Sequence, residues 1–298
     1  MRLLLYFLAL VFTVNIGKAQ ESTADLSYFP KTQFNAVVVQ NDTSETGTIF
    51  EKIVIDGYDS RFPFYYIQPE NNPDNRCVIL LHGGNGNKDD WIYARNSESN
   101  KFTTLKDSLL SLGFALIIPD MRYSGERSYE IDFASSRSLL GSKQVQAYSD
   151  LFTTTVRDIR IIMDYVESRT TESPITFNAV GYSLGGSVTI LLNAADNRLK
   201  SVVVAVPPLV LRKLRNWFGI TDNETADKLN SVFDLFRYTK IQKSPVCLLM
   251  ANADQYYTEQ EARDFFDQIT VEGNVFKIYD SGHSIPDFFI EDVIEFLK

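Results

Sequence analysis

Histidine is almost missing from this chain. Only two occur in 298 residues, His82 and His283, which excludes a histidine-rich metal site and leaves two candidates for an imidazole base. Cysteine is as scarce. Cys77 and Cys247 stand in separate apolar runs, where a free thiol packs as a small hydrophobe. A disulfide framework is therefore not what organises the fold, and a chain of this length does not require one. Basic residues are in deficit, with 29 Lys and Arg against 38 Asp and Glu. The resulting formal charge of −9 argues against nucleic acid as a partner. Internal repeats and low-complexity linkers are also lacking, so one domain is the simplest organisation.

Nor is there a run long enough to span a bilayer. The apolar stretch from Leu3 to Ile16 holds 14 residues, Thr13 and Asn15 among them, where a spanning helix needs ~20. Arg2 precedes it and the small residues Gly17 and Ala19 follow. This opening reads as a secretory signal peptide over residues 1–19, which predicts a secreted or periplasmic protein with no stable membrane insertion after cleavage. Losing Arg2 and Lys18 would take the formal charge from −9 to −11.

What is present is a core-forming composition, 44% hydrophobic. Extended segments near Phe34 to Val39, Ile49 to Ile55 and Phe64 to Ile67, separated by polar turns, predict an antiparallel opening. Short apolar runs then recur at 77–81, 114–119, 175–180, 201–206, 246–250 and 275–279. Such runs suit strands buried on both faces of a parallel sheet. Between them lie helical spacings, the clearest carrying Val145, Tyr148, Phe152, Val156, Ile159, Met163 and Val166. Alternating strands and helices predict an α/β fold with a mostly parallel central sheet and helices on both faces. The interruption at about 207–244 reads as a small helical cap, and the looser stretch from Tyr123 to Gly141 is expected on the same rim.

The run "FNAVGYSLGGSVTI" places Ser183 in a Gly-x-Ser-x-Gly pattern, Gly181 to Gly185. With Gly and Ser each near ~7% of residues, chance alone supplies such a pattern roughly one time in ten in a chain of this size. Its setting is more specific. A buried strand precedes it and a helix follows, so a sharp turn would lift the serine oxygen above the sheet while glycines avoid steric conflict. The helix start adds partial positive charge where an oxyanion would form.

With these residues in place the chain resembles the α/β-hydrolase superfamily, and within it the dienelactone-hydrolase and prolyl-oligopeptidase-like esterase branches. The resemblance runs from about Ile53 onward through "LLHGG", "PDMRYSGERS", "GYSLGG", "ANADQYYT" and "SGHSIPD", in the family's order. It implies a serine hydrolase with Ser183 as nucleophile, His283 as base and Asp254 as acid. A serine hydroxyl needs a base to take its proton, and the imidazolium formed needs a carboxylate to orient and stabilise it. Asp280, three residues before His283, is the rival acid. The resemblance also implies an oxyanion hole from the backbone of Gly84 and Leu184, with Asn85 as the alternative to Gly84.

His82 reads as structural. Asp120, Arg122 and Gly125 resemble a supporting loop, with Asp120 and Arg122 expected as a buried ion pair. Trp91, Tyr182, Tyr256, Tyr257, Phe288 and Phe289 flank the motifs and read as core residues or pocket walls. The basic residues Arg212, Lys213 and Arg215 read as a solvated face of the cap. The expected reaction is cleavage of a small-molecule carboxylic ester through an acyl-enzyme, with no cofactor. Two alternatives stand beside it: a small peptidase, and a binding protein that has lost catalysis.

Overall fold

Nine strands form one mixed sheet in the computed structural model, which describes residues 23–134, 139, 144–170, 173–209 and 221–298. The expected leader at 1–19 and the basic residues Arg212, Lys213 and Arg215 lie outside the described residues. The strands are β1 (Ala36–Thr43), β2 (Ile49–Asp56), β3 (Arg61–Gln68), β4 (Arg76–Leu81), β5 (Ala115–Pro119), β6 (Thr176–Tyr182), β7 (Leu199–Ala205), β8 (Val246–Ala251) and β9 (Val275–Tyr279). Their order across the sheet is β1-β2-β3-β5-β4-β6-β7-β8-β9. The first three pair antiparallel, β3 meets β5 antiparallel, and every pairing from β5 to β9 is parallel. The chain winds one way from β4 to β5 and the other way from β6 onward. This makes the carboxyl ends of β4 and β6 a topological switch point, where open α/β sheets bind ligands.

Helices cover both faces: α1 (Ser97–Ser111), α2 (Val145–Ser168), α3 (Leu184–Ala195), α4 (Asn223–Phe233), α5 (Glu259–Asp267) and α6 (Phe289–Leu297). Strand β4 shows why continuous apolar runs were needed. Cys77, Ile79 and Leu81 enter one core with Phe152, Val156 and Met163 of α2 and Leu191 of α3. Val78 and Leu80 enter the other, with Phe102 and Leu109 of α1 and Val293 of α6. Cys77 and Cys247 are free thiols on opposite faces. Among the described residues no helix is long and apolar enough to cross a membrane.

Three boundaries differ from the sequence reading for identifiable reasons. Strand β1 continues through polar Asn41 to Thr43, pairing with Ile49 to Glu51; it is an exposed edge, where burial does not demand apolar residues. Helix α1 begins at Ser97 because Asn96 caps it, the Asn96 side chain accepting from the Ser99 N–H. The region expected as a cap divides. Leu235–Ile241 is a 3-10 turn whose Tyr238 is fully buried in the main core, and Gln242 donates to the carbonyls of Ile190 and Tyr238. That part belongs to the body, whereas α4 brings Phe233 against Tyr148 and Phe152 of α2.

Candidate active site

Ser183 stands between β6 and α3 with φ 53° and ψ −117°, a strained conformation for a residue with a Cβ. Its N–H is held by the Ala205 carbonyl at 2.8 Å, and its own carbonyl accepts the first helical bond from Ser187 at 3.1 Å. The flanking glycines are required by close approach. A Cβ on Gly181 would lie 2.2 Å from the Gly185 carbonyl oxygen, and one on Gly185 would lie 2.5 Å from that of Leu81. Glycine at 181 thus lets α3 close onto the end of β6, and glycine at 185 lets the turn sit against the end of β4.

Two loops bring partners to this serine. The Ser183 hydroxyl donates to His283 Nε2 at 2.8 Å, and His283 Nδ1 donates to Asp254 Oδ2 at 2.7 Å. The Asp254 side chain has no exposed surface. Its other oxygen, Oδ1, accepts the Tyr256 N–H at 2.8 Å. The rival carboxylate, Asp280, instead accepts from the Asn252 side chain at 3.0 Å. Such a chain lets the serine proton pass to a neutral imidazole whose far nitrogen is already anchored on a carboxylate.

The neighbours of the motif also have assignable contacts. Tyr182, whose ring lies in the α1/α6 core, donates its hydroxyl to the His283 carbonyl at 2.9 Å and accepts the Ile285 N–H at 3.3 Å. It positions the histidine loop, a role that sequence gives no signal for. The Tyr257 hydroxyl accepts the Ala251 N–H at 3.0 Å and pins the loop carrying Asp254. Trp91 and Phe289 are core residues, Phe288 is exposed, and Tyr256 is the one of the six aromatic candidates that lines the cavity.

His82 is fully buried. The Met121 N–H donates to its Nε2 at 3.1 Å, so Nδ1 carries the proton and donates to the Gly83 carbonyl at 2.7 Å. Burial lowers its pKa, which keeps it neutral in this structural position. The expected pairing of Asp120 with Arg122 does not occur. Asp120, also fully buried, bonds Lys88 Nζ at 2.9 Å and accepts the backbone N–H groups of Lys88 and Glu126. Arg122 pairs instead with Asp59 at 2.6 Å. The 3-10 turn at Lys88–Trp91 brings both the backbone N–H and the ammonium group of Lys88 to Asp120, which occupy that carboxylate. Gly125 leaves the space that Asp120 occupies, since a Cβ there would meet Asp120 Oδ1 at 2.3 Å. Within the stretch read as loose, Arg127 is fully buried and paired with Asp158 at 2.8 Å.

Ser183 and His283 open into a cavity of about 340 Å³. Gly83, Gly84 and Asn85 wall it beside Leu184, and a Cβ on Gly84 would touch the Leu184 side chain at 3.4 Å. The predicted oxyanion residues thus face one another across the elbow, with the Leu184 N–H in the first helical turn, where no helical carbonyl precedes it. The cavity lining includes the apolar or aromatic Tyr148, Leu151, Phe233 and Tyr256, the last packed edge-on against His283 at 4.8 Å, and the polar Asp90, Asn96 and Glu98. Glu98 was missed by sequence reading, because nothing in "RNSES" marks a residue that faces a site built elsewhere.

Comparison with known proteins places this geometry in context. The pattern of the dienelactone hydrolase family matches residues 62–286. A Bacillus subtilis (strain 168) protein, YtaP, provisionally named a hydrolase, is 24% identical over 161 residues, 52% of each chain. The present chain thus spans about half the length of that curated relative. Among solved structures, an acetyl xylan esterase from Paenibacillus sp. R4 superposes with a TM-score of 0.65 at 19% identity, covering 89% of this chain and 88% of that one. A cold-adapted esterase from an Arctic intertidal metagenomic library gives 0.62 at 15% identity, covering 89% and 97%. At such identities the likeness is one of fold.

Proposed function

The chain belongs to the dienelactone hydrolase family; on that premise we propose that it is a carboxylic ester hydrolase working through an acyl-enzyme formed on Ser183. The observation that carries the reading is the continuous hydrogen-bonded chain from Ser183 through His283 to Asp254, opening on one cavity. Ser183 Oγ attacks the ester carbonyl carbon while His283 Nε2 takes its proton, and Asp254 stabilises the imidazolium. The carbonyl electrons move onto oxygen, where the Leu184 N–H at the start of α3 and the Gly84 N–H of the facing loop receive the charge. Collapse of this intermediate breaks the bond to the alcohol, which leaves with the proton from His283. Water, deprotonated by the same imidazole, repeats the attack, and the carboxylic acid departs as Ser183 regains its proton.

The cavity, about 340 Å³, suits a short ester better than an extended peptide. Export through the leader at 1–19 is part of the same proposal. The test is labelling by an organophosphonate together with turnover of p-nitrophenyl acetate. Ser183→Ala should lose both, and His283→Ala should lower kcat/KM by about 10⁴-fold or more. Full turnover in either variant would refute the mechanism, and preferential cleavage of aminoacyl amides would favour a peptidase.

A further inference from the structure

The cavity lining includes two carboxylates in different states. Asp90 is committed to local structure, its Oδ2 accepting the Asn87 N–H at 3.0 Å in a capping box. Glu98, in the first turn of α1, has no hydrogen bond or ion pair among the described residues, although it lines the same cavity as Ser183 and His283. The residue keeps an exposed surface, so a ligand can reach it. Burial nonetheless pushes its pKa up, with Asp90 adding to the shift while His283 and Lys101 oppose it. A carboxylate that faces the cavity with no protein partner among the described residues is open to a donor on the ligand.

The direction of the reaction identifies which part of the ester meets it. In the mechanism proposed above, on which this step rests, His283 hands its proton to the departing alcohol, so the alcohol lies on the histidine side of Ser183. Glu98 lines the same cavity as His283, on the helix start that packs against the histidine loop. Lys101, one turn further along α1, bonds the Ile285 carbonyl at 2.6 Å and so holds the α1 start against the histidine loop. The apolar lining residues Tyr148, Leu151 and Phe233 are then left for the acyl group.

We propose that Glu98 is a specificity residue for the alcohol side of the ester, accepting a hydrogen bond from a hydroxyl or ammonium group on that alcohol and repelling alcohols that carry a carboxylate. A recognition role differs in its consequences from simple support of the imidazolium. Support would change the rate for all esters alike, whereas recognition changes their ratios.

The experiment compares kcat/KM for propyl acetate, 2-hydroxyethyl acetate, 2-(dimethylamino)ethyl acetate and O-acetylglycolate in the full chain and in Glu98→Gln and Glu98→Ala, with thermal melts to verify folding. The native enzyme should favour a donor-bearing ester over propyl acetate by about tenfold and process O-acetylglycolate most slowly. Whichever donor ester leads tells a hydroxyl from an ammonium partner. Glu98→Gln should relieve the penalty on O-acetylglycolate and keep any hydroxyl preference; Glu98→Ala should flatten all four. Ratios unchanged within about twofold in folded Glu98→Ala overturn the proposal, including the case where all four rates fall together. Ser183-dependent hydrolysis of p-nitrophenyl acetate with unchanged ratios sinks this inference alone, and absence of any ester turnover sinks the mechanism beneath it as well.

Discussion

Replacing Asp254 by asparagine keeps the side-chain volume and tests the hydrogen-bonded chain at its most informative point. Oδ1 of Asp254 accepts the Tyr256 N–H at 2.8 Å, so that position must remain an oxygen. The asparagine NH₂ is then forced into the place of Oδ2, 2.7 Å from His283 Nδ1. A donor there requires Nδ1 to become the acceptor, which moves the ring proton to Nε2. With Nε2 protonated, the imidazole cannot take the proton of Ser183, which lies 2.8 Å away. The side chain also loses the charge that stabilises the imidazolium. Wrong tautomer and lost charge together should lower kcat/KM at neutral pH by about 10³ to 10⁴-fold, or roughly 4 to 5 kcal/mol of transition-state stabilisation. The assay is steady-state turnover of p-nitrophenyl acetate, with organophosphonate labelling to follow the serine separately. Asp280→Asn, which disturbs only the exposed bond to Asn252, should stay near the native rate. A loss below about tenfold in Asp254→Asn, or an equal loss in Asp280→Asn, would refute the assignment of the acid.

Two further predictions concern what holds the elbow in place. Gly185→Ala puts a methyl 2.5 Å from the Leu81 carbonyl oxygen and 2.6 Å from that of His82; soluble yield and melting temperature should both fall sharply, and a variant as stable as the native chain would show that the β4 end gives way freely. Asp196, just past the end of α3, is bonded by Arg198 at 2.7 Å and Arg160 at 2.9 Å. Burial would raise its pKa, but the Arg198 and Arg160 contacts overcome this and bring it from 3.8 to about 2. A depressed folded-state pKa contributes stability that is present above the unfolded value and lost as pH falls through the folded one, here between about 4 and 2. The contribution is about 2 kcal/mol. Denaturant unfolding should therefore show Asp196→Asn destabilised at neutral pH by about that amount, with the gap narrowing below pH about 4; a gap independent of pH would contradict the ion-pair account.

The parallel half of the sheet was legible because its inner strands, β4, β5 and β8 above all, are buried on both faces and read as apolar runs, while the edge strand β9 is half-buried and carries Lys277. The antiparallel edge was less so: β1 ends in Asn41, Asp42 and Thr43, which are exposed and pair through backbone alone. In the site, Ser183 and His283 were accessible from a local motif and from the scarcity of histidine. Asp254 was favoured over Asp280 from its place several residues past a strand end, and the contacts that separate them, Asp254 to His283 and Asp280 to Asn252, exist only in the fold. Lys88 and Asp120 stand 32 positions apart and meet only when β4 and β5 pair. No local pattern records such a contact, and the same holds for Glu98, whose partner in recognition is not in the chain at all.

What makes the site a unit is that its three contributors are tied together by groups taking no part in bond making. The elbow is seated on the β4 end by the missing side chain of Gly185. From the same turn, Tyr182 points to the opposite core and returns two hydrogen bonds to the histidine loop, at 2.9 Å and 3.3 Å. One residue therefore fixes both ends of the contact from Ser183 to His283: its backbone leads into the serine, and its hydroxyl holds the backbone of the histidine. Tyr257 does the corresponding work for the acid, anchoring the Asp254 loop on the last residue of β8. Neither tyrosine needs to ionise for this, and burial raises the pKa of both, which keeps each hydroxyl protonated. The geometry of the chain from serine to carboxylate is thus set by strand ends and two buried phenols, leaving the cavity walls free to differ in the substrate they accept.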